Sequence, residues 1–389
     1  MRETLSECLQ FAQEHALLCA HSHSYQKVQT PTGSMNSYLG LYPSHPASWK
    51  PNQPELCGKI LRERRDTETV QVCNQFIARF TALLQRLEPP IDKFENFGKK
   101  FLMQKIKPIV RKQLPITLVL PAFPAKSPNR DTKVLGTLPD RGEELALELL
   151  EAFCLVIKRD VYPIGCFIII FSDGRVYNDL LKIPLENVSG YSEELRAISS
   201  EAGFSHILFD DLDAHTQRFL SDTASTHSSS LGALLKNYKD DGIDIGQAIS
   251  TNSELHATYC ALKRFLPRDL APQCVGLSKT YVKKLSGKVA RKMLARNQAF
   301  SRLIEELYPH SIRLSVHAYD NAGPKFGINL LPVFDGIPRT PWHCAVCENH
   351  DGSVTCPELH QVDHSRYELV HKRGRPWGFK EKAPATPAN

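Results

Sequence analysis

In the stretch LVLPAFPAKSPN, residues 118–129, an apolar run gives way to a lysine held between two prolines. Pro124 and Pro128 each fix their own φ, and Pro128 also pushes Ser127 toward extended geometry. Lys126 is thus carried on a backbone with few accessible shapes. A second loop, SDGRVYND, presents Ser172, Asp173, Arg175 and Asp179. Both loops follow strand-like runs, and open α/β sheets bind ligands beyond the carboxyl ends of their strands, so both are expected to face one crevice. A phosphate suits Lys126 and Arg175, because a dianion accepts several charge-assisted hydrogen bonds of roughly 1.5–3 kcal/mol each. The helix start near 141 offers amides as well, but Asp140, Glu143 and Glu144 fill it with negative charge. The anion is therefore expected beside the two basic side chains.

A third cluster is RLSVHAYDNAGPKFGINL, residues 313–330. A strand over 312–318 would set Arg313, Ser315 and His317 on one face, a polar triplet where a core strand is apolar. Gly323, Pro324 and Gly327 shape a turn, and Lys325 begins the return strand. His317 is either a hydrogen-bonded structural residue or an acid/base group; its titration near neutral pH and its polar neighbours favour the second. Arg296 and Asn297 lie on a long basic helix, His343 follows TPW, and Arg373 and Arg375 lie in HKRGRPWGF.

The stretch 342–364 holds Cys344, Cys347, Cys356, His350, His360 and His364, which invites a zinc reading. No glycine turns the chain between Cys344 and Cys347, and on a strand side chains three apart point to opposite faces. Buried hairpin cysteines are the expectation, with no metal. No GxSxG, Walker, HExxH or GxGxxG pattern occurs. These residues describe an α/β enzyme handling a phosphorylated or carboxylated small molecule.

The elements that must position these groups alternate. Strands are predicted at 115–123, 165–174 and 206–212, and helices at 68–88, 140–160, 192–203 and 278–309. Asp140 and Glu143 form a capping-box pattern. Strand, helix, strand, helix, strand implies right-handed crossovers and a Rossmann-like, mainly parallel sheet flanked by helices. SIRLSVHAY, KFGINLLPV and WHCAVCEN read as further, largely antiparallel strands that extend the sheet or form a second layer. Residues 1–100 read as an N-terminal helical and irregular region, with a short amphipathic helix and a Pro/Ser/Tyr-rich stretch before 65. Residues 101–380 form the catalytic α/β domain, 221–232 a polar linker or loop, and 381–389 a disordered tail.

Of the 389 residues, 42% are hydrophobic and 23% charged, ordinary for a globular chain. No run approaches the roughly 20 apolar residues of a membrane helix, and the N-terminus lacks a secretory core, so a cytoplasmic protein is expected. The net charge of +6 is too small to argue for nucleic acid by itself and suits a small anionic ligand. Eleven scattered cysteines fit reduced, buried thiols.

Five blocks, in order, carry a resemblance: LPAFPAKSPNRDTKVLGTLPDRGEELALELL, IIIFSDGRVYNDLL, RNQAFSRLIEELYPHSIRLSVHAYDNAGPKFGINLLP, TPWHCAV and LVHKRGRPW. Over roughly residues 100–380 the chain resembles the pyoverdine/dityrosine biosynthesis family, the isocyanide synthases. The resemblance implies metal-independent, cofactor-free chemistry in secondary metabolism. The amine of an L-amino acid condenses with the ketone of ribulose 5-phosphate, phosphate and the remaining carbons leave, and the ketone carbon stays on nitrogen as an isocyanide. For that chemistry Lys126, Arg175 and Lys325 are expected to hold the phosphate or developing oxyanions, with Ser127 also substrate-binding and Lys126 a Schiff-base alternative. His317 would shuttle protons, assisted by Asp173 or His343, and Arg296 or Arg313 would pair with the carboxylate. Some ten residues follow GRPWGF, so no fused oxygenase is expected, and a separate tailoring enzyme would modify the product. Alternatives are a dityrosine-type member leading to N-formyl-tyrosine, and a non-catalytic protein docking nucleic acid through the basic residues 278–296. The lack of interleaved aromatics on that helix argues against the last, and neither nucleic acid nor membrane is an expected partner.

Overall fold

The computed structural model describes residues 54–172, 174–215, 230–238 and 244–383. The N-terminal helix candidate, the Pro/Ser/Tyr-rich stretch, Asp173 and most of the polar 221–232 stretch lie outside them.

Strands β1 (Ile116–Pro121), β2 (Cys166–Phe171), β3 (Ile207–Asp210), β4 (Ile312–Ser315) and β5 (Lys325–Gly327) form one sheet. Their order is β3-β2-β1-β4-β5, and every neighbouring pair is parallel. The chain winds outward from β1 to β3 and then returns to the other side of β1, so a topological switch point lies between β1 and β4.

The helices are α1 (Pro54–Thr81), α2 (Lys99–Arg111), α3 (Arg141–Val156), the single turn α4 (Asn178–Leu181) and α5 (Leu185–Glu201). They are followed by α6 (Ser230–Tyr238), α7 (Ile245–Thr251), α8 (Ser253–Asp269) and α9 (Lys279–Leu307). Strand alternation distributes them. Leu118, Leu120, Ile168, Ile170, Ile312 and Leu314 share a core with α1, α2, α3 and α5. Val119 and Phe171 face the opposite way, against Phe300, Leu303 and Ile304 of α9. Burial on both faces explains the near-continuous apolar runs of β1 and β2. Within the region read as 1–100, Phe76, Phe80 and Leu84 sit in the sheet's own core. Phe80 meets Phe326 edge-on at 5.5 Å.

The C-terminal reading needs correction in three places. The β4 strand stops at Ser315, so His317 lies in the bend beyond it. Lys325 opens a strand parallel to β4 where a return strand was expected. In WHCAVCEN only Cys347–Glu348 is strand, and Pro341–His343 is a 3-10 turn. A second sheet, order β7-β6-β9-β8, joins β6 (Cys347–Glu348), β7 (Val354–Thr355), β8 (Tyr367–Lys372) and β9 (Arg375–Glu381). Its β6–β7 and β8–β9 pairs are antiparallel and β6–β9 is parallel. Glu381, the first residue of the expected tail, ends β9 and pairs with Arg366 at 2.8 Å.

Cys344 and Cys356 are buried in the main core, whereas Cys347 joins a separate cluster with Tyr367 and Phe379. Among the described residues no group of three or more His, Cys, Asp or Glu side chains converges to hold a metal ion. Nor is any described helix long and apolar enough to cross a membrane. On α9, Lys283, Lys284, Lys288, Arg291 and Lys292 face solvent, opposite the apolar stripe that packs on α8 and the sheet.

Candidate active site

The loops after β1 and β2 lie side by side. Phe123 takes φ +57, a left-handed turn that swings the chain off the end of β1. Its carbonyl accepts a hydrogen bond from Ser172 Oγ at 2.7 Å. Gly174 is pressed so close to Pro124 that a Cβ there would stand 2.0 Å from the Pro124 carbonyl oxygen. Only glycine permits this approach.

Despite that contact, Lys126 and Arg175 pair with different carboxylates. Lys126 turns inward, its Nζ 2.8 Å from Asp140 Oδ2 and 2.7 Å from Glu143 Oε2, and donates to the Pro341 carbonyl at 3.0 Å. The cause is the start of α3. Asp140 Oδ1 accepts from the Gly142 amide and Glu143 Oε2 from the Asp140 amide, so the capping box buries two carboxylates within one turn. A cation must neutralise them. Burial opposes the Lys126 charge, but the two carboxylates outweigh it and hold its pKa above the ordinary lysine value. Burial pushes Asp140 up, against the pull of Lys126. The Lys126 side chain is fully enclosed among these partners. Arg175 pairs instead with Asp213 and, at 3.8 Å, with Asp211.

Ser127, the next residue, reaches the other way. Its Oγ donates to Asp269 Oδ1 at 2.5 Å, and Lys133 Nζ stands 2.7 Å from the same oxygen. Asp269 Oδ2 faces His343 Nε2 at 3.5 Å, while Thr340 Oγ1 lies 3.0 Å from His343 Nδ1. With Asp269 ionised, Nε2 carries the proton and Nδ1 accepts from the threonine. Asn129 Nδ2 donates to the Arg268 carbonyl at 2.8 Å, tying the loop after β1 to the end of α8. The Ser127 amide donates to the Trp342 carbonyl at 2.9 Å, tying it to the 3-10 turn. Burial alone would raise Asp269, but His343 and Lys133 hold it well below the usual carboxylate range.

His317 lies close enough to His343 for the two to feel each other's charge. Burial lowers its pKa below the ordinary histidine value, and His343 lowers it further. Burial and Lys133 lower His343, against the pull of Asp269. Both imidazoles are therefore neutral at pH 7. The His317 backbone amide donates to Ser315 Oγ at 3.1 Å, and its ring nitrogens have no hydrogen-bond partner among the described residues. Ser127 and Lys133 come from the loop after β1 and His317 from the bend after β4, the two connections that flank the switch point. A small cleft beside them is lined by Val316, Asn329, Leu330, Arg339 and Thr340.

The remaining basic candidates divide. Arg296 is held by Asp179, at 2.5 and 2.8 Å, and by the Val176 carbonyl at 2.8 Å. Arg373 pairs with Glu194 and Glu201, and Arg375 with Glu194 at 2.6 Å, which docks the β8–β9 turn on α5. Arg313 is buried on β4, and burial pulls its pKa down to about 10. Lys325 Nζ lies 3.3 Å from Ser301 Oγ.

The sequence reading missed Lys133, Asp269 and Thr340. Lys133 lay within the AKSPNRDTK block but was masked by the more conspicuous Lys126. Asp269 has no local signal, since RFLPRDL reads only as a helix end.

Comparison with known proteins agrees with this architecture. A family model described as pyoverdine/dityrosine biosynthesis protein matches residues 106–370. Isocyanide synthase xanB of Aspergillus fumigatus is 35% identical over 70% of this chain, which spans only 37% of that protein's length. The L-tyrosine isonitrile synthase of Xenorhabdus nematophila is 33% identical over 74% of this chain and 84% of its own. The crystal structure of the PvcA protein of Pseudomonas aeruginosa superposes with a TM-score of 0.72 at 30% identity, covering 80% of this chain and all of that one. The chain belongs to the pyoverdine/dityrosine biosynthesis family.

Proposed function

We propose that this chain is an isocyanide synthase that converts the amino group of an L-amino acid to an isocyanide, with ribulose 5-phosphate as the carbon donor. The supporting observation is His317, a half-buried neutral imidazole without a ring partner among the described residues, beside the Asp269–His343 pair at the switch point. Relatives named as isocyanide and isonitrile synthases give the reaction class.

The first step joins the amine to the ketone, and water then leaves the carbinolamine. Each step moves a proton between nitrogen and oxygen on one carbon, so one neutral imidazole serves as base and then as acid. His317 takes this role. His343 is oriented by Asp269 and Thr340, and its presence makes protonated His317 a short-lived species that gives its proton back. Lys133 and Ser127 hold Asp269 in place on Oδ1. Lys126 has no part in the chemistry; it neutralises the start of α3 and, through Pro341, steadies the turn that carries His343.

The test is direct. Purified protein is incubated with ribulose 5-phosphate and each proteinogenic amino acid in turn, and isocyanide is trapped with a tetrazine. Tyrosine comes first, since the Xenorhabdus relative is named for it. An adduct with at least one amino acid is expected; none with any overturns the reading.

A further inference from the structure

From residue 270 to residue 304 the chain carries eight basic side chains and no acidic one. Two of the eight are committed, Arg296 to Asp179 and Arg302 to the Tyr238 carbonyl. The others lie on the N-terminal half of α9, the part that packs on α8 through Val289, Ala290 and Leu294. Tyr281, Lys284, Lys288 and Lys292 follow one another at i, i+3, i+7 and i+11, so they form one exposed stripe opposite that contact. No ion pair with a carboxylate holds Lys284, Lys288 or Lys292 among the described residues. Beside the stripe, Arg291 and Lys263 of α8 both lie against the Tyr259 ring, 5.6 and 5.2 Å from its centre. Like charges four apart on a helix repel, so the row costs stability in the isolated chain.

A second observation stands at the head of the stripe. In the connection from α8 to α9, Val275 is 84% exposed and Leu277 46%, and Tyr281, one turn further on, is 52% exposed. Among the described large apolar side chains none is more exposed than Val275. Gly276, at φ +77, turns the chain between Val275 and Leu277.

We infer that this surface docks on an anionic membrane leaflet. Val275, Leu277 and Tyr281 enter the headgroup layer, and the lysine row lies along the negative surface. Apolar chains beneath anionic headgroups match both halves of the patch. A single-stranded nucleic acid is met by rings that stack on its bases, whereas this tip is mainly aliphatic. An acidic protein surface matches the lysines alone and leaves Val275 in water. The expectation of no membrane partner rested on the lack of a spanning run, and a surface contact needs none. The patch is tied to the candidate site. Asp269 precedes Val275 by six residues, so the two are no more than about 22 Å apart. Gln273 between them donates to the Leu181 carbonyl, in the connection after β2. Docking therefore brings the end of the sheet that carries Asp269 and His343 close to lipid, whichever reaction runs there.

The test is flotation of the full chain with two kinds of vesicle, at low and high salt. One kind is phosphatidylcholine alone, and the other is two parts phosphatidylcholine to one of phosphatidylserine. Binding to the anionic vesicles only, weakened by salt, is expected. Each lysine at such a surface contributes about 5-fold, so Lys284→Gln, Lys288→Gln and Lys292→Gln together should weaken binding by about 100-fold. Val275→Ser with Leu277→Ser should weaken it by about 10-fold. Removing the same charge elsewhere, with Lys100→Gln, Lys112→Gln and Lys380→Gln, should leave it within about 3-fold. All these side chains are exposed, and an unchanged melting temperature shows that folding is not the cause. No binding to the anionic vesicles, equal binding to both kinds, or binding that survives either the triple-lysine change or the Val275 and Leu277 changes overturns the inference. So does duplex DNA or polyglutamate that binds through the same lysines while the vesicles do not.

Discussion

Lys126 and Ser127 are consecutive on one loop and reach opposite buried carboxylates: Lys126 Nζ lies 2.7 Å from Glu143, and Ser127 Oγ donates to Asp269 at 2.5 Å. One residue braces the start of α3 and the other braces the Asp269–His343 pair. Both bonds are made away from solvent, so each side chain has a structural consequence that can be measured apart from turnover.

Replacing Lys126 with methionine leaves Asp140 and Glu143 buried without their counter-charge. Breaking a buried pair by removing one partner costs about 3–5 kcal/mol. Urea unfolding of Lys126→Met should show that loss, and any drop in turnover should follow the folded fraction. A variant as stable as wild type but about 100-fold slower would return Lys126 to the chemistry.

Asp269 and Lys133 are coupled through one oxygen. Asp269→Asn strands the Lys133 charge and should destabilise by about 3–5 kcal/mol. Adding Lys133→Met should recover part of it, with a coupling energy of about 0.5–3 kcal/mol in a double-mutant cycle. Strict additivity would show that the pair is not the unit described.

Gly174→Ala tests the seam between the two loops. A methyl group 2.0 Å from a backbone carbonyl has nowhere to go without moving the chain. A stability loss of at least about 1–3 kcal/mol is expected in thermal unfolding. A neutral variant would mean that the loops are not in contact.

The imidazoles set the pH dependence. Both His317 and His343 have folded pKa values depressed below the ordinary histidine value, so the neutral base persists to lower pH than in a free histidine. The limb of kcat/KM that reports the base should fall only below about pH 6.5. The same sign governs stability. A depressed folded pKa contributes stability that is complete above the unfolded value and is lost as pH falls through the folded one. The histidine share should therefore erode below about pH 6.5 and the Asp269 share below about pH 4. His317→Ala should cut turnover by about 100-fold or more with little change in melting temperature. A normal rate would remove it from the site.

Much of the frame was legible before any coordinates. The runs 115–123 and 165–174 gave β1 and β2 because burial on both faces demands unbroken apolar sequence. Asp140 and Glu143 gave the α3 capping box, and the helix read from 278 is α9, where the structure shows Ser278 Oγ accepting from the Tyr281 amide at 3.2 Å. The parallel β1, β2 and β3 followed from alternation and crossover handedness, whereas β4 and β5, read as largely antiparallel, joined the same sheet in parallel. The direction of β5 escaped, because three residues carry no period of their own and their direction is set by the neighbour they pair with.

Sequence by itself determined where β1, β2, β3, α3 and α9 lie, since their caps and periodicities are written within a few residues. It also determined that cationic loops follow β1 and β2. Which charge each cation meets was decided only in three dimensions. Asp269 lies 142 positions from Ser127, and the carboxylates that enclose Lys126 belong to a helix start that was read as a reason for an anion to stay away. The pairing of Arg313 with Lys325 depends on a strand register that no local pattern encodes. Buried charges are matched by packing between distant segments, and that matching, rather than the residue types, is what separates a brace from a binding site.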